Sequence, residues 1–215
     1  METLAVNEIF FTIQGESSRA GLPCAMVRLG GCNLRCSWCD TQYACEESAP
    51  RMTVEAVLAA VAQFPTKRVE VTGGEPMLQD ATALLLADFL AAGYEVLLET
   101  NGSVDLASVP GGVRTIMDVK CPASGEAGTT HWDNLAHMTA TDEVKFVLAD
   151  EDDYDYARKI IDQYDLLGRC GLIVSPCAGL LDSDTLAAWI LRDGLDVRLG
   201  LQLHKFIWPA EARGV

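Results

Sequence analysis

Basic residues are scarce in this 215-residue chain: 16 Lys and Arg face 31 Asp and Glu, a formal net charge of −15. No run of Lys or Arg longer than two occurs, so the phosphate-neutralising surface that nucleic-acid binding requires is not expected. An acidic surface repels anionic membranes as well. Long apolar runs are absent too. The longest, Ala83 to Ala92, is broken by Asp88 and falls far short of the ~20 residues that cross a bilayer. The opening METLAVNEIF has no basic end, apolar segment and small-residue cleavage site, so no secretory leader is expected and the cytoplasm is the expected location. Only 18 Gly and 8 Pro exclude a collagen-like chain, and 49% apolar residues exclude disorder. No linker, repeat or low-complexity tract interrupts residues 1–215, which are expected to form a single domain with enough core to fold without disulfides.

Cysteine, by contrast, is plentiful. Eight occur, at 24, 32, 36, 39, 45, 121, 170 and 177, and three of them fall within eight residues. In a reduced compartment, closely spaced thiols are more often metal or redox ligands than disulfide partners.

Between the turn regions Ser48–Arg51 and Pro110–Gly112 the pattern alternates between strand and helix. Thr53 opens a helix ending near Phe64, with Glu46–Glu47 and Glu55 placing negative charge at its start. RVEVT at 68–72 reads as a strand running into Gly73–Gly74. A helix from about Asp80 to Ala92 stops at Gly93, and YEVLLE at 94–99 is the next strand. Further on, 114–119, 143–148, 172–174 and 197–203 read as strands, and 152–164 and 182–192 as helices. Asn7–Phe11 and Met26–Leu29 supply strands before the first helix. Apolar strands separated by helices of ~10–15 residues predict an α/β fold: a mainly parallel sheet covered by helices, closed wholly or partly into a (β/α) barrel. In such folds function gathers at the carboxyl ends of strands, here the loops after residues 29, 72, 99, 119, 174 and 203.

The first of those loops reads Gly30-Gly31-Cys32-Asn33-Leu34-Arg35-Cys36-Ser37-Trp38-Cys39-Asp40-Thr41, a C-x3-C-x2-C spacing. At this chain's cysteine frequency, chance supplies roughly 0.01 such triplets. A structural zinc site or buried thiols remain open readings, although zinc usually takes four ligands as two paired motifs. A 4Fe–4S cluster with three thiolates leaves one iron for a ligand from outside the protein. Cys24, Cys45, Cys121, Cys170 and Cys177 are read as buried thiols, a common fate of cysteine, and their irregular spacing disfavours the alternative of a second cluster.

CxxxCxxC after the first strands resembles the signature of the radical S-adenosylmethionine (SAM) superfamily, and Val71-Thr72-Gly73-Gly74-Glu75-Pro76 resembles its GGEP motif. Phe11-Thr12-Ile13-Gln14-Gly15-Glu16, the SWCDT at 37–41, the LETNG at 98–102 and Leu201-Gln202-Leu203-His204-Lys205 resemble, over essentially the whole chain, the 7-carboxy-7-deazaguanine synthase family within it. Two departures stand out. Gly15-Glu16-Ser17 occupies the place of the family's usual GEG, and Asp118-Val119-Lys120-Cys121-Pro122 that of a Ser-Pro-Lys stretch.

The resemblance implies an abbreviated barrel and a lyase. Its cofactors would be a 4Fe–4S cluster on Cys32, Cys36 and Cys39, SAM on the fourth iron, and Mg²⁺ on Thr41. Reduction of SAM to a 5′-deoxyadenosyl radical removes a hydrogen from 6-carboxy-5,6,7,8-tetrahydropterin. The ring then contracts with loss of ammonia to 7-carboxy-7-deazaguanine, an intermediate toward queuosine and other 7-deazapurines. Trp38, Gly74, Glu75, Lys120 and Ser175 become candidate SAM contacts, Glu75 as an acceptor for its ammonium. Ile13, Gln14, Gly15, Glu16, Arg28 and Thr72 become substrate contacts, with Arg28 suited to bidentate capture of a carboxylate. Glu99 and His204 are the candidate catalytic groups; an imidazole moves protons near neutral pH. The tail from Trp208 to Val215 is a further candidate contact. Implied partners are a one-electron donor such as a flavodoxin and a second copy in a homodimer. A glycyl-radical-enzyme activase shares the cysteine spacing but leaves TIQGE unexplained; a small iron–sulfur electron carrier would want a fourth cysteine at ligand spacing.

Overall fold

The computed structural model describes residues 2–209 and 212–215. Its strands are β1 (Thr3–Ile13), β2 (Pro23–Leu29), β3 (Arg51–Thr53), β4 (Arg68–Gly73), β5 (Glu95–Thr100), β6 (Arg114–Asp118), β7 (Glu143–Leu148), β8 (Gly171–Pro176) and β9 (Arg198–Leu199). They form one sheet in the order β3-β1-β2-β4-β5-β6-β7-β8-β9. From β2 through β9 every neighbouring pair is parallel, while β1 runs antiparallel to β2 and β3. Among the described residues β3 and β9 do not meet, so the barrel is partial and open.

The helices are α1 (Gln42–Glu46), α2 (Val54–Val61), α3 (Thr82–Ala91), α4 (Glu151–Gln163), α5 (Ser183–Asp193) and α6 (His204–Ile207). Local chemistry sets their ends. Thr53 accepts the Ala56 N–H at 3.2 Å to start α2, and Asp150 accepts the Asp153 N–H at 2.9 Å to start α4. Just past α3 and α5, Gly93 and Gly194 adopt φ of 76° and 58°, the left-handed region glycine enters freely.

Strand alternation divides the sheet into two faces. One carries Ala25, Val27 and Leu29 of β2, Val69 and Val71 of β4, and Val96 and Leu98 of β5, packed with Leu85, Leu86 and Phe89 of α3. On the same side Val144, Phe146 and Leu148 of β7 and Leu172 and Val174 of β8 pack with Tyr154, Ala157 and Ile161 of α4. The opposite face carries Arg28, Glu70, Thr72, Glu99, Asp118 and Lys145, which surround a cavity.

Strand β1 joins both faces through a β-bulge. Val6 pairs with Leu29 and Glu8 with Arg28, two steps on β1 against one on β2. Ahead of the bulge Leu4 and Val6 face the apolar core; beyond it Glu8, Phe10 and Thr12 line the cavity. All five would otherwise share one face, since side chains alternate with a period of two.

Two regions depart from the sequence-based expectation. Glu46 closes the short helix α1, and β3 intervenes before α2, so Glu46–Glu47 do not begin that helix. The strand expected over 197–203 is only Arg198–Leu199. The Gly200 N–H donates to Val174 O at 2.8 Å, and the chain then leaves the sheet edge, where Leu203 N–H reaches Gly15 O at 3.0 Å. His204 therefore opens α6 and lies outside any strand.

Candidate active site

The cysteine loop following β2 is held by the loops that follow β4, β5 and β6. Gly74 N–H donates to Leu29 O at 3.2 Å, and Glu75 N–H to Gly31 O at 2.8 Å. A Cβ on Gly74 would lie 2.1 Å from Gly31 O and 2.8 Å from Cys32 Cβ, and one on Gly73 would lie 2.2 Å from Leu29 O. The two glycines thus let one loop nest directly on the other. Asn101 Nδ2 donates to Asn33 Oδ1 at 3.2 Å, and Ser37 N–H donates to Ser124 O at 3.1 Å.

Cys32, Cys36 and Cys39 are half-buried and all line the cavity, whose volume is about 600 Å³, within the range of small-molecule sites. The Leu34 N–H and Asn101 Nδ2 donate to Cys32 Sγ at 3.4 and 3.8 Å, the outer hydrogen bonding that tunes a ligating thiolate. Among the described residues no three Cys, His, Asp or Glu groups close on one point, as a mononuclear zinc would require. A multi-iron cluster gives each thiolate its own iron, and all three cysteines line the same cavity. Cys45 and Cys177 also line the cavity, and Cys45 and Cys170 are only half-buried, so the reading of all five remaining cysteines as buried thiols holds for Cys24, Cys121 and Cys177. Thr41 precedes α1 without capping it; its Oγ1 lies 3.8 Å from Cys39 Sγ and the residue faces the cavity.

Arg28 is fixed by its Nε, which donates to Glu8 Oε1 at 2.7 Å, and Tyr43 Oη donates to the same oxygen at 2.8 Å. The guanidinium lies 5.8 Å from the centre of the Phe10 ring and 6.0 Å from that of Tyr43. Arg28 Nη1 and Nη2 have no hydrogen-bond acceptor among the described residues. Two N–H-bearing atoms are thereby offered to a ligand at a prearranged angle.

At the centre stands Lys145, 2% exposed. Its Nζ donates to Glu99 Oε1 and, at 2.9 Å, to Glu16 Oε2, with Asp118 Oδ2 3.8 Å away. Lys120 Nζ pairs with Asp118 Oδ2 at 2.7 Å. The flanking carboxylates hold both ammonium groups charged, raising each against the opposing effect of burial. Burial pushes Glu16 upward, but the charges of Lys145 and His204 outweigh it and hold the carboxyl at about 2. Gln202 Nε2 adds a second hydrogen-bond donor at 3.0 Å to Glu16 Oε1. His204 packs against Gly15, where a Cβ would come 2.6 Å from its Nδ1.

The expected site residues Ile13, Gln14, Gly15, Glu16, Arg28, Cys32, Cys36, Trp38, Cys39, Thr41, Thr72, Gly74, Glu99, Lys120 and His204 all line this one cavity. Glu75 and Ser175 do not. Glu75 is fully buried; its two oxygens accept from Met77 N, Thr100 Oγ1 and Asn101 N at 2.7–2.9 Å, so it braces the loops around the cysteines. Ser175 is buried beside Gly200, its Oγ without a partner among the described residues. Gln14 is 2% exposed. Its Oε1 accepts from the N–H groups of Glu16 and Ser17 and its Nε2 donates to Glu70, so most of its bonding capacity shapes the turn. Residues 208, 209 and 212–215 of the tail line the cavity; 210 and 211 lie outside the described residues. Arg213 sits 3.8 Å from the centre of the Tyr43 ring and pairs with Glu47 at 3.1 Å.

Sequence reasoning missed Glu70, Asp118 and Lys145. The signal was present: in RVEVT and EVKFV a charged residue alternates with apolar ones in strands expected to be covered by helices, so its face must border a polar interior.

A profile described as the Radical SAM superfamily matches residues 26–120. The chain is 43% identical over 229 residues to a 7-carboxy-7-deazaguanine synthase of Koribacter versatilis (strain Ellin345), covering 99% of this chain and 100% of that protein. It is 45% identical over 215 residues to a protein of the same name from Chlorobaculum tepidum, covering 99% and 97%. Among solved structures, QueE from Escherichia coli aligns with a TM-score of 0.79 at 20% identity over 93% of this chain and 94% of that one. Streptococcus suis SuiB bound to S-adenosylmethionine aligns with a TM-score of 0.58 at 12% identity, over 80% and 48%.

Proposed function

The chain belongs to the 7-carboxy-7-deazaguanine synthase family of radical SAM enzymes, and on that premise we propose how the residues of its cavity divide the work. Its activity is the ring contraction of 6-carboxy-5,6,7,8-tetrahydropterin to 7-carboxy-7-deazaguanine with loss of ammonia, a lyase reaction that depends on a 4Fe–4S cluster and SAM. When bound, these groups supply the electron and the hydrogen-abstracting radical.

Cys32, Cys36 and Cys39 would hold the cluster, and Trp38, Gly74 and Lys120 would flank SAM. Thr41 would offer Mg²⁺ a single hydroxyl oxygen, leaving the ion's other positions to water and substrate, as its reluctance to dehydrate favours. Arg28 takes the substrate carboxylate through Nη1 and Nη2, held at the correct angle by Glu8. Glu16, ionised by Lys145, accepts N–H bonds from the pterin, and Thr72 stands beside it on the wall. Glu99 keeps Oε1 on Lys145 and uses Oε2 to hold or release a proton as ammonia departs. His204, pressed on Gly15 and close enough to help hold Glu16 ionised, is the mobile proton carrier. A flavodoxin-like donor would feed the cluster, and a homodimer is the proposed assembly.

The observation that carries this division is the arrangement of Arg28, Glu16, Glu99 and His204 around the same cavity as the three cysteines. The test is anaerobic: protein reconstituted with iron and sulfide is reduced and given SAM, Mg²⁺ and 6-carboxytetrahydropterin, and mass spectrometry looks for a product lighter by one ammonia. Product that requires both the cluster and SAM supports the reading. SAM cleavage without product would mean that the cavity takes another substrate.

A further inference from the structure

Glu70 has no role in the division above. It lies on β4 between Val69 and Val71, whose side chains enter the apolar core, so its own side chain enters the cavity. The residue is 1% exposed. Its Oε2 accepts from Gln14 Nε2 at 2.9 Å, and its Oε1 has no partner among the described residues.

Gln14 has no freedom to change that bond. Its Oε1 already accepts from Glu16 N at 2.9 Å and Ser17 N at 3.0 Å, so the amide's orientation is set by the turn and only N–H can face Glu70. The nearby cations are committed elsewhere. Lys145 serves Glu16 and Glu99, Lys120 serves Asp118, and Arg68, two residues back on β4, is bound to Glu95 at 2.7 Å. The groups facing Glu70 are thus Gln14 and Glu16 from the loop after β1, the Cys24 thiol from β2, Glu99 from β5 and Lys145 from β7. Glu16, Glu70, Glu99 and Asp118 would carry four negative charges against the two ammonium groups of Lys145 and Lys120. Burial, and next the charge of Glu99, push Glu70 up to about 8. Of the four it is the one without a cation, and a buried carboxyl in that position keeps its proton. With Oε2 accepting from Gln14, that proton sits on Oε1.

We propose that Glu70 is a neutral acid that donates Oε1–H to an acceptor atom of the substrate's pyrimidinone ring, with Gln14 as its positioning residue. Glu16 is an acceptor and reads N–H groups; Glu70 reads a carbonyl oxygen or an unprotonated ring nitrogen. The two differ in hydrogen-bonding sense although both are glutamates, and together they match a ring edge that offers donors beside an acceptor. The inference rests on the reading of this cavity as a pterin site.

The test uses reconstituted holoenzyme and anaerobic binding of 6-carboxytetrahydropterin to the wild type, Glu70→Gln and Glu70→Leu. Cluster absorbance and the unfolding midpoint check that each is folded and loaded. Glutamine keeps a neutral donor in the same shape, so its Kd should stay within about threefold of wild type, whereas Leu should weaken binding by about tenfold or more. Wild-type affinity should fall as pH rises through about 8, while Glu70→Gln stays flat there. An infrared band from a protonated carboxylic acid should be present in the substrate-free wild type at neutral pH and missing from Glu70→Gln. If Gln is as damaging as Leu, Glu70 acts as an ionised acceptor and the proposal is wrong; unchanged binding by Leu overturns it equally. Failure of the wild type itself to bind the pterin would instead remove the reading on which the proposal rests.

Discussion

The two faces of one sheet differ more than any two separate parts of this molecule. On β4, Val69 and Val71 enter the core beneath α3, while Glu70 and Thr72 border the cavity. On β7, Val144 and Phe146 pack against α4, and Lys145 stands between them on the other side. The helix-covered face is held by apolar area, worth roughly 25 cal/mol per Å² removed from water, and tolerates changes that conserve volume. The cavity face is held by pairing of charges whose desolvation is costly, so each member depends on its partner. Stability and chemistry are thus assigned to alternate residues of the same strands.

The sharpest break of this comparison is Cys36→Ala. It should abolish cluster loading and SAM cleavage with the sheet intact, read by cluster absorbance and 5′-deoxyadenosine formation; cleavage at the wild-type rate would sink the cluster assignment. On the other face Phe146→Ala, at a fully buried side chain, should cost about 3–5 kcal/mol of unfolding free energy. The folded fraction should retain its substrate affinity, and a loss of affinity would show that the faces are coupled. Arg28→Ala should leave the cluster loaded and weaken substrate binding by about tenfold or more. Unchanged affinity would remove its carboxylate role.

The smallest effect concerns acid. Glu16 has a folded value of about 2 against an ordinary 4.5, so its stabilising contribution is present above 4.5 and disappears as pH falls through about 2. The stability difference between wild type and Glu16→Gln should therefore shrink over that window in acid-unfolding curves. A difference independent of pH would show that Lys145 does not hold Glu16 ionised.

Much of this was legible in sequence where spacing alone carries the information. Glu143–Leu148 reads as the strand it is, the helix before Gly93 ends where its left-handed residue allows, and CxxxCxxC lies in the loop after β2. Glu75 was legible as a motif, but sequence cannot show that its oxygens accept from Thr100 and Asn101, 25 and 26 residues away. Gln14 lines the cavity as its motif suggested, but its bond to Glu70, 56 residues distant, was not legible in sequence. The strand expected at 197–203 failed because Leu203 is drawn to Gly15, a tertiary pull that outweighs local propensity.

The bulge in β1 behaves like a reading frame. Upstream of it the strand is spelled in core residues, downstream in cavity residues, and the one additional position between Val6 and Glu8 shifts the phase. A single-residue insertion or deletion beyond it would turn Glu8, Phe10 and Thr12 toward the valines beneath α3 and leave Arg28 without its anchor, whereas a change of two residues keeps the phase. Length variation in this strand is therefore constrained to even steps.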